Sequence, residues 1–152
     1  REIPQALLKK EITDTTFAFK IVMDQPEIGK EISQFYQLNS IYYDLDKADI
    51  RPDAAQELDK IVNFLQDNPQ VNLELGAHTD SRATAIYNQK LSQRRAESAV
   101  KYILQRGIAK DRIKPKGYGE SQLINECSDG VDCPEDMHQQ NRRTEFKIIQ
   151  IN

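Results

Sequence analysis

No run of apolar residues in this 152-residue chain approaches membrane-spanning length. No signal peptide precedes Arg1 and no Met stands at position 1. The expectation is therefore a piece of a longer protein whose export or anchoring signals lie outside it. An excess of one charge is missing too: 21 Lys and Arg stand against 24 Asp and Glu, for a net charge of −3. They are interspersed rather than blocked, which argues against a general nucleic-acid binder with a basic face. Histidine is scarce, with only His78 and His138. There is no His-Glu-x-x-His pattern and no nucleophile elbow, so zinc-hydrolase and serine-hydrolase chemistry lack their usual parts, and no cofactor is expected. Internal repeats and low-complexity segments are also absent.

Cysteine is limited to Cys127 and Cys133, inside the polar stretch Asn125–Asp136. The turn residues between them suit a short loop closed by a disulfide, which would place the chain in an oxidising compartment. A zinc site including the nearby His138 competes with that reading. Against it, the spacing is not Cys-x-x-Cys and His78 is distant in sequence.

What is present suffices for one domain with a real core, plus an N-terminal segment of different character over residues 1–33. Within that segment Thr16–Val22 looks like a strand, either the tail of a preceding module or a strand that pads this one. The core is expected to begin near Phe35, with a short strand through Ile41-Tyr42-Tyr43. Pro52 suits the first turn of a helix. Ala54, Leu58, Ile61, Val62 and Leu65 then keep helical spacing until Asn68-Pro69 stops it. Val71, Leu73 and Leu75 alternate with Asn72 and Glu74 as a half-buried strand leading to Asp80. A second amphipathic helix runs from about Thr84 to Gln105 and stops at Gly107. Arg112–Lys116 reads as an edge strand because of Pro115, Gly117-Tyr118-Gly119 as a tight bend, and Asn141–Ile149 as a last strand. Strand–helix–strand–helix–strand–strand is an α+β pattern, with two helices on one face of a mixed sheet.

Arg95 is out of place in the second helix. It falls one turn after Leu91 and one turn before Ala99, inside the apolar stripe. A guanidinium cannot lose its proton, so a partly buried one needs an anionic partner or an anionic ligand. Asp80, at the end of the preceding strand, makes two readings available: a structural ion pair, or a site that reads a zwitterion. By strand parity His78 points with Glu74 and suits a satisfied hydrogen-bonding histidine. Arg94 and Lys101 belong to the solvated face.

Ile41-Tyr-Tyr-Asp44, Gly76-Ala-His-Thr-Asp80, Tyr87-Asn-Gln-Lys-Leu-Ser-Gln-Arg-Arg-Ala96, Gly117-Tyr-Gly-Glu120 and Asn141-Arg-Arg143 occur in order. Together they resemble the OmpA-like C-terminal domain, a β-α-β-α-β-β sandwich. The resemblance covers Phe35 to Ile149 and implies a division into residues 1–33 and an OmpA-like domain over 34–152. It implies non-covalent binding of peptidoglycan through the meso-diaminopimelate residue of the stem peptide, and no catalysis. Matched residue by residue, Asp80 and Arg95 fall on the family's ligand-binding Asp and Arg, Asn88 on the Asn of its Tyr-Asn pair, and Arg142 on an inward-facing Arg. Tyr42 and Tyr43 border that site. Where many members carry Gly after the Asp, this chain has Ser81-Arg82-Ala83-Thr84, which implies a stiffer loop. The cysteine loop resembles versions from Bacteroidetes. There such domains end outer-membrane lipoproteins, including the PorE-type component of the type IX secretion system, so other outer-membrane or secretion proteins are implied as partners. The competing readings are a structural or protein-interaction module without ligand binding, and a wall hydrolase or amidase.

Overall fold

The computed structural model describes residues 28–32, 41–44 and 47–152. The strand expected over Thr16–Val22 and the start of the core at Phe35 lie outside those residues. Helix α1 (Pro52–Asp67) begins with Pro at its first turn, where a missing N–H costs nothing. Its buried stripe is Ala54, Leu58, Ile61, Val62, Phe64 and Leu65. Asn68 ends it, donating from Nδ2 to Phe64 O at 3.0 Å. The Arg112 guanidinium then donates to Leu65 O, Asn68 O and Val71 O at 2.8, 2.9 and 2.9 Å. One side chain thus satisfies the helix's orphan carbonyls and ties them to the next strand.

That strand, β1 (Val71–His78), is the middle of a three-stranded sheet. Helix α2 (Ala85–Gln105) carries the chain over to β2 (Ile113–Gly119), which pairs parallel with β1. A short helix α3 (Glu135–Asn141) then leads into β3 (Thr144–Ile151), antiparallel on the other side of β1. The class is α+β with a mixed sheet, and α1, α2 and the inward sheet face share one apolar core. Register sets the layers of that face. Leu73 lies between Ile113 and Ile148, Leu75 between Pro115 and Phe146, and Ala77 between Gly117 and Thr144. The layers shrink toward the C-terminal end of β1, which leaves room there for a cleft.

Four elements differ from the sequence expectations. Gly117–Gly119 does not bend away: β2 continues through it with a bulge at Tyr118, and Gly119 takes φ +55°. Tyr118 lies over Gly76, stacks on His78 at 4.9 Å and donates its hydroxyl to Glu74. That cover is why β1 is buried on both faces rather than one. Residues 41–44 form no strand, and the open edge of β3 is taken instead by residues 28–32. Gly29 N–H donates to Ile148 O at 2.7 Å, Ile148 N–H donates to Lys30 O at 2.9 Å, and Ile32 is fully buried. Packing against the sheet therefore begins before residue 34. The last strand starts at Thr144, because Asn141 closes α3.

Helix α2 approaches the backbone of β2 closely at Gly117. A Cβ there would sit 2.3 Å from Gln93 N and 2.6 Å from Gln93 Cα. The helix also satisfies the backbone of this edge strand: Gln93 Oε1 accepts from Gly117 N–H at 2.7 Å, Gln89 Nε2 donates to Gly117 O at 2.6 Å, and Ser92 Oγ accepts from Gly119 N–H at 2.9 Å. Gly117→Ala should therefore force helix and strand apart and cost about 3 kcal/mol in urea denaturation, at the upper end of ordinary overpacking. A loss below about 0.5 kcal/mol, the range of neutral surface changes, would refute the close approach.

Candidate functional site

β1 ends in a loop that turns back into α2, and this turn carries Asp80. His78 N–H donates to Arg143 O at 2.9 Å and Thr79 N–H donates to Gly119 O at 2.8 Å, so both neighbouring strands hold the exit of β1. Thr84 caps α2, accepting from Tyr87 N–H through Oγ1 at 3.1 Å. Asn88, one turn on and buried, donates from Nδ2 to Asp80 O (3.2 Å), Arg82 O (2.8 Å) and Glu120 Oε1 (3.0 Å). Its amide nitrogen thus helps to shape the loop from within the chain. Ala83 takes φ +70°, the left-handed region that costs a residue with a Cβ about 1 kcal/mol. The departure from Gly in this loop is therefore a point of strain.

Asp80 and Arg95 do not pair with each other. The buried Asp80 carboxylate accepts from Arg82 N–H at Oδ1 (2.9 Å). At Oδ2 it accepts from Arg82 Nε (3.3 Å), Arg82 Nη2 (2.9 Å) and Arg142 Nη1 (2.7 Å). Both guanidiniums also reach Glu135, Arg82 through Nη1 at 2.8 Å and Arg142 through Nη2 at 2.5 Å. Two carboxylates and two guanidiniums close a ring. Burial works to raise the Asp80 pKa, but the hydrogen bonds from Arg82 and Arg142 outweigh it and hold the carboxyl below its ordinary value.

Arg95 is half-buried and reaches the segment before α1. It donates from Nε to Lys47 O at 2.9 Å and from Nη2 to Asp44 O at 3.3 Å, and its guanidinium lies 4.8 Å over the Tyr43 ring. The Tyr43 hydroxyl donates to Arg95 O at 3.3 Å, and burial, partly offset by Arg95, pushes its pKa up to about 12. Tyr43 packs against the core while Tyr42 is exposed. All four expected binding residues, Asp80, Asn88, Arg95 and Arg142, line one cleft of about 510 Å³, together with Tyr42, Tyr43, Tyr87, Arg82 and Glu135.

Sequence reasoning missed Arg82, Glu135 and the helix that presents Glu135. The signal was there in Pro134-Glu135-Asp136, a proline followed by acids, as at many helix starts. Asn141 is fully buried and organises the cysteine loop: Oδ1 accepts from Ile124 N–H at 2.8 Å and Nδ2 donates to Asn125 Oδ1 at 2.9 Å. Cys127 and Cys133 are joined in a disulfide. Its loop docks on the Asp80 turn, with Ser81 Oγ donating to Cys127 O at 2.5 Å. Among the described residues no cluster of His, Cys, Asp or Glu is arranged to hold a metal, and no described helix is long and apolar enough to cross a membrane.

His78 is held by its stack on Tyr118 rather than by hydrogen bonds. Nδ1 has no partner, and Nε2 lies 3.1 Å from Glu145 Oε1 without hydrogen-bond alignment. The close approach of His78 Nε2 to Glu145 Oε1, with an aligned bond from Arg143 Nε to Oε2 at 3.1 Å, outweighs burial and holds the Glu145 carboxyl at about 2. The contribution of a depressed carboxyl is complete above its unfolded value and disappears as pH falls through the folded one. Stability should thus drop between about pH 4.5 and about pH 2, and Glu145→Gln should flatten that limb in denaturation curves at stepped pH. At the strained turn, Ala83→Gly should raise stability by about 1 kcal/mol; a lower melting temperature would contradict the strain.

The chain matches the OmpA family over residues 42–136. It is 37% identical over 87 residues to a peptidoglycan-associated lipoprotein of Brucella melitensis, covering 57% of this chain and 52% of that protein. It is 39% identical over 111 residues to the photosystem I P700 chlorophyll a apoprotein A2 of Gloeobacter violaceus, covering 72% of this chain but 13% of that protein. The chain thus spans about half or less of the curated relatives it matches here. Among solved structures, the peptidoglycan-associated lipoprotein of Burkholderia pseudomallei superposes with a TM-score of 0.63 at 23% identity, covering 74% of this chain and 91% of that one. That superposition shows a common fold. With the family pattern extending from the Tyr42–Tyr43 rim through the Asp80 turn to α3, the chain belongs to the OmpA family.

Proposed function

We propose that this domain binds peptidoglycan non-covalently through the diaminopimelate head of the stem peptide, and so anchors an outer-membrane or secretion complex to the cell wall. OmpA-like domains of this kind are non-enzymatic. The observation that carries the reading is the convergence of Asp80, Arg95 and Arg142 on one cleft rimmed by Tyr42 and Tyr87. Diaminopimelate ends in an ammonium and a carboxylate on one carbon. Arg95 would grip the carboxylate through two N–H groups, a geometry Lys does not reproduce. Asp80 would take the ammonium. Asn88 holds the loop, and Arg142 keeps the Asp80 carboxylate ionised and aimed. The disulfide and the names of the relatives support a periplasmic, outer-membrane-associated setting. The resemblance of the cysteine loop to Bacteroidetes versions supports a partner in a type IX secretion system.

One observation favours a second reading, a structural or protein-interaction module without ligand binding. Asp80 is already neutralised from within the chain. Calorimetry with a diaminopimelate-containing muropeptide separates the two. We expect binding that weakens by about 2–5 kcal/mol in Asp80→Ala and in Arg95→Ala, since each leaves an opposite charge unpaired. Peptides with Lys in place of diaminopimelate should bind poorly. Affinity unchanged in both variants would sink the site assignment, and failure of purified sacculi to retain the domain would favour the second reading.

A further inference from the structure

Asp80 Oδ2 is crowded before any ligand arrives, with three donors on it against one on Oδ1. A carboxylate offers about four lone-pair sites, and four N–H groups, three of them from Arg82, already point at this one. An ammonium seated at Oδ2 meets three donors already there, one more than that oxygen's two lone pairs, so at least one of them must leave. The two guanidiniums differ in how easily they can. Arg142 follows α3 directly, next to the fully buried Asn141, and its side chain is 30% exposed. Arg82 is 53% exposed and sits beside the left-handed Ala83. Its Nη1 already holds Glu135 Oε2 at 2.8 Å, and that nitrogen takes no part in the Asp80 contact. Arg82 can therefore release Asp80 and keep a charged partner, so its departure leaves no bare cation. Its backbone is independently fixed, with N–H on Asp80 Oδ1 and O under Asn88 Nδ2. The turn keeps these tethers whichever way the side chain swings.

We propose that Arg82 is an internal competitor for the cation seat on Asp80, and that it swings onto Glu135 when the ligand's ammonium enters. The inference rests on the reading of the cleft as a site for a zwitterionic head. It adds a selection rule: a ligand must carry a cation to displace Arg82, so a neutral or purely anionic peptide finds the seat occupied. It also gives Glu135 a function, as the resting place for the displaced guanidinium. The apparent affinity of such a site is lowered by the fraction of molecules in which the latch is closed.

The test is a titration of wild type, Arg82→Gln and Arg82→Lys with the same diaminopimelate muropeptide at fixed salt. Removing the competitor should tighten binding about 3–10-fold in Arg82→Gln, corresponding to an open fraction of roughly a tenth to a third in the wild type. Arg82→Lys, which keeps a competing cation, should stay within about twofold of wild type, since it leaves that fraction nearly unchanged. Proton–nitrogen spectra of the wild-type arginine side chains supply an independent readout. Ligand saturation should move the Arg82 Nε–H signal to a faster-exchanging position and leave that of Arg142 in place. If the wild type binds and Arg82→Gln binds equally or more weakly, the latch is wrong and the zwitterion site stands. If wild type and Arg82→Gln both fail to bind, the zwitterion reading falls and the latch with it. Binding by Arg82→Gln alone would be the strongest support for the latch.

Discussion

Everything at the mouth of the cleft depends on how closely α2 lies against β2 at Gly117. The absence of a side chain there lets backbone meet backbone, and Gln89, Ser92 and Gln93 turn the contact into hydrogen bonds on the strand's open edge. Once those three residues are fixed, the rotation of the helix is fixed as well. Asn88 then faces the Asp80 turn on one side, and Arg95, further along, faces the segment with Tyr43 and Asp44. Tyr87-Asn-Gln-Lys-Leu-Ser-Gln-Arg-Arg is thus mostly a packing instruction. Asn88 shapes the loop after β1, Gln89, Ser92 and Gln93 hold the strand, and Tyr87, Asn88, Leu91 and Arg95 line the cleft.

The second constraint is electrostatic. A carboxylate as buried as Asp80 stays charged only if cations are brought to it. The chain supplies them from two elements distant in sequence, the turn after β1 and the residue after α3. Glu135 then balances the surplus. The ring keeps Asp80 ionised and rigidly placed, as a site for an ammonium requires. The same ring also neutralises the carboxylate in advance, so in the function proposed above an incoming ammonium would exchange with a guanidinium rather than meet a bare charge. Specificity for a cation-bearing head would follow from the proposed exchange, because only another cation offsets the loss of a guanidinium.

Elements whose cause is local were legible in the sequence. Thr84 and Gly107 bound α2 because capping and left-handed closure are properties of a few neighbouring residues. The alternation in β1 set its inward face, Leu73 and Leu75, correctly. Its other face was misread, since the cover comes from Tyr118 on the neighbouring strand. The Gly-Tyr-Gly segment read as a bend because two glycines usually mark one. Here one serves a helix contact and the other a bulge, and neither partner is nearby in sequence. At the cleft, Asp80, Asn88, Arg95 and Arg142 were singled out through the family resemblance, and all four line it. Their arrangement was not legible, because the ring depends on Glu135, whose helix is positioned by Asn141 and the cysteine loop.

That loop is where local covalent chemistry meets the site. A disulfide with a sequence separation of 6 closes only a short ring, worth about 2 kcal/mol by loop-closure entropy. Its contribution to the whole fold is therefore modest, and its larger effect is on placement. Cys127 is fully buried and its carbonyl accepts from Ser81, the residue after Asp80, while Cys133 lies two residues before Glu135. The bridge thus ties the turn that carries the buried acid to the helix that carries the exposed one. With both ends tethered, Arg82 and Arg142 face two carboxylates at a set separation, which suits a ring able to exchange one cation without coming apart. A loop that reads in sequence as an appendage is in the folded chain one wall of the site.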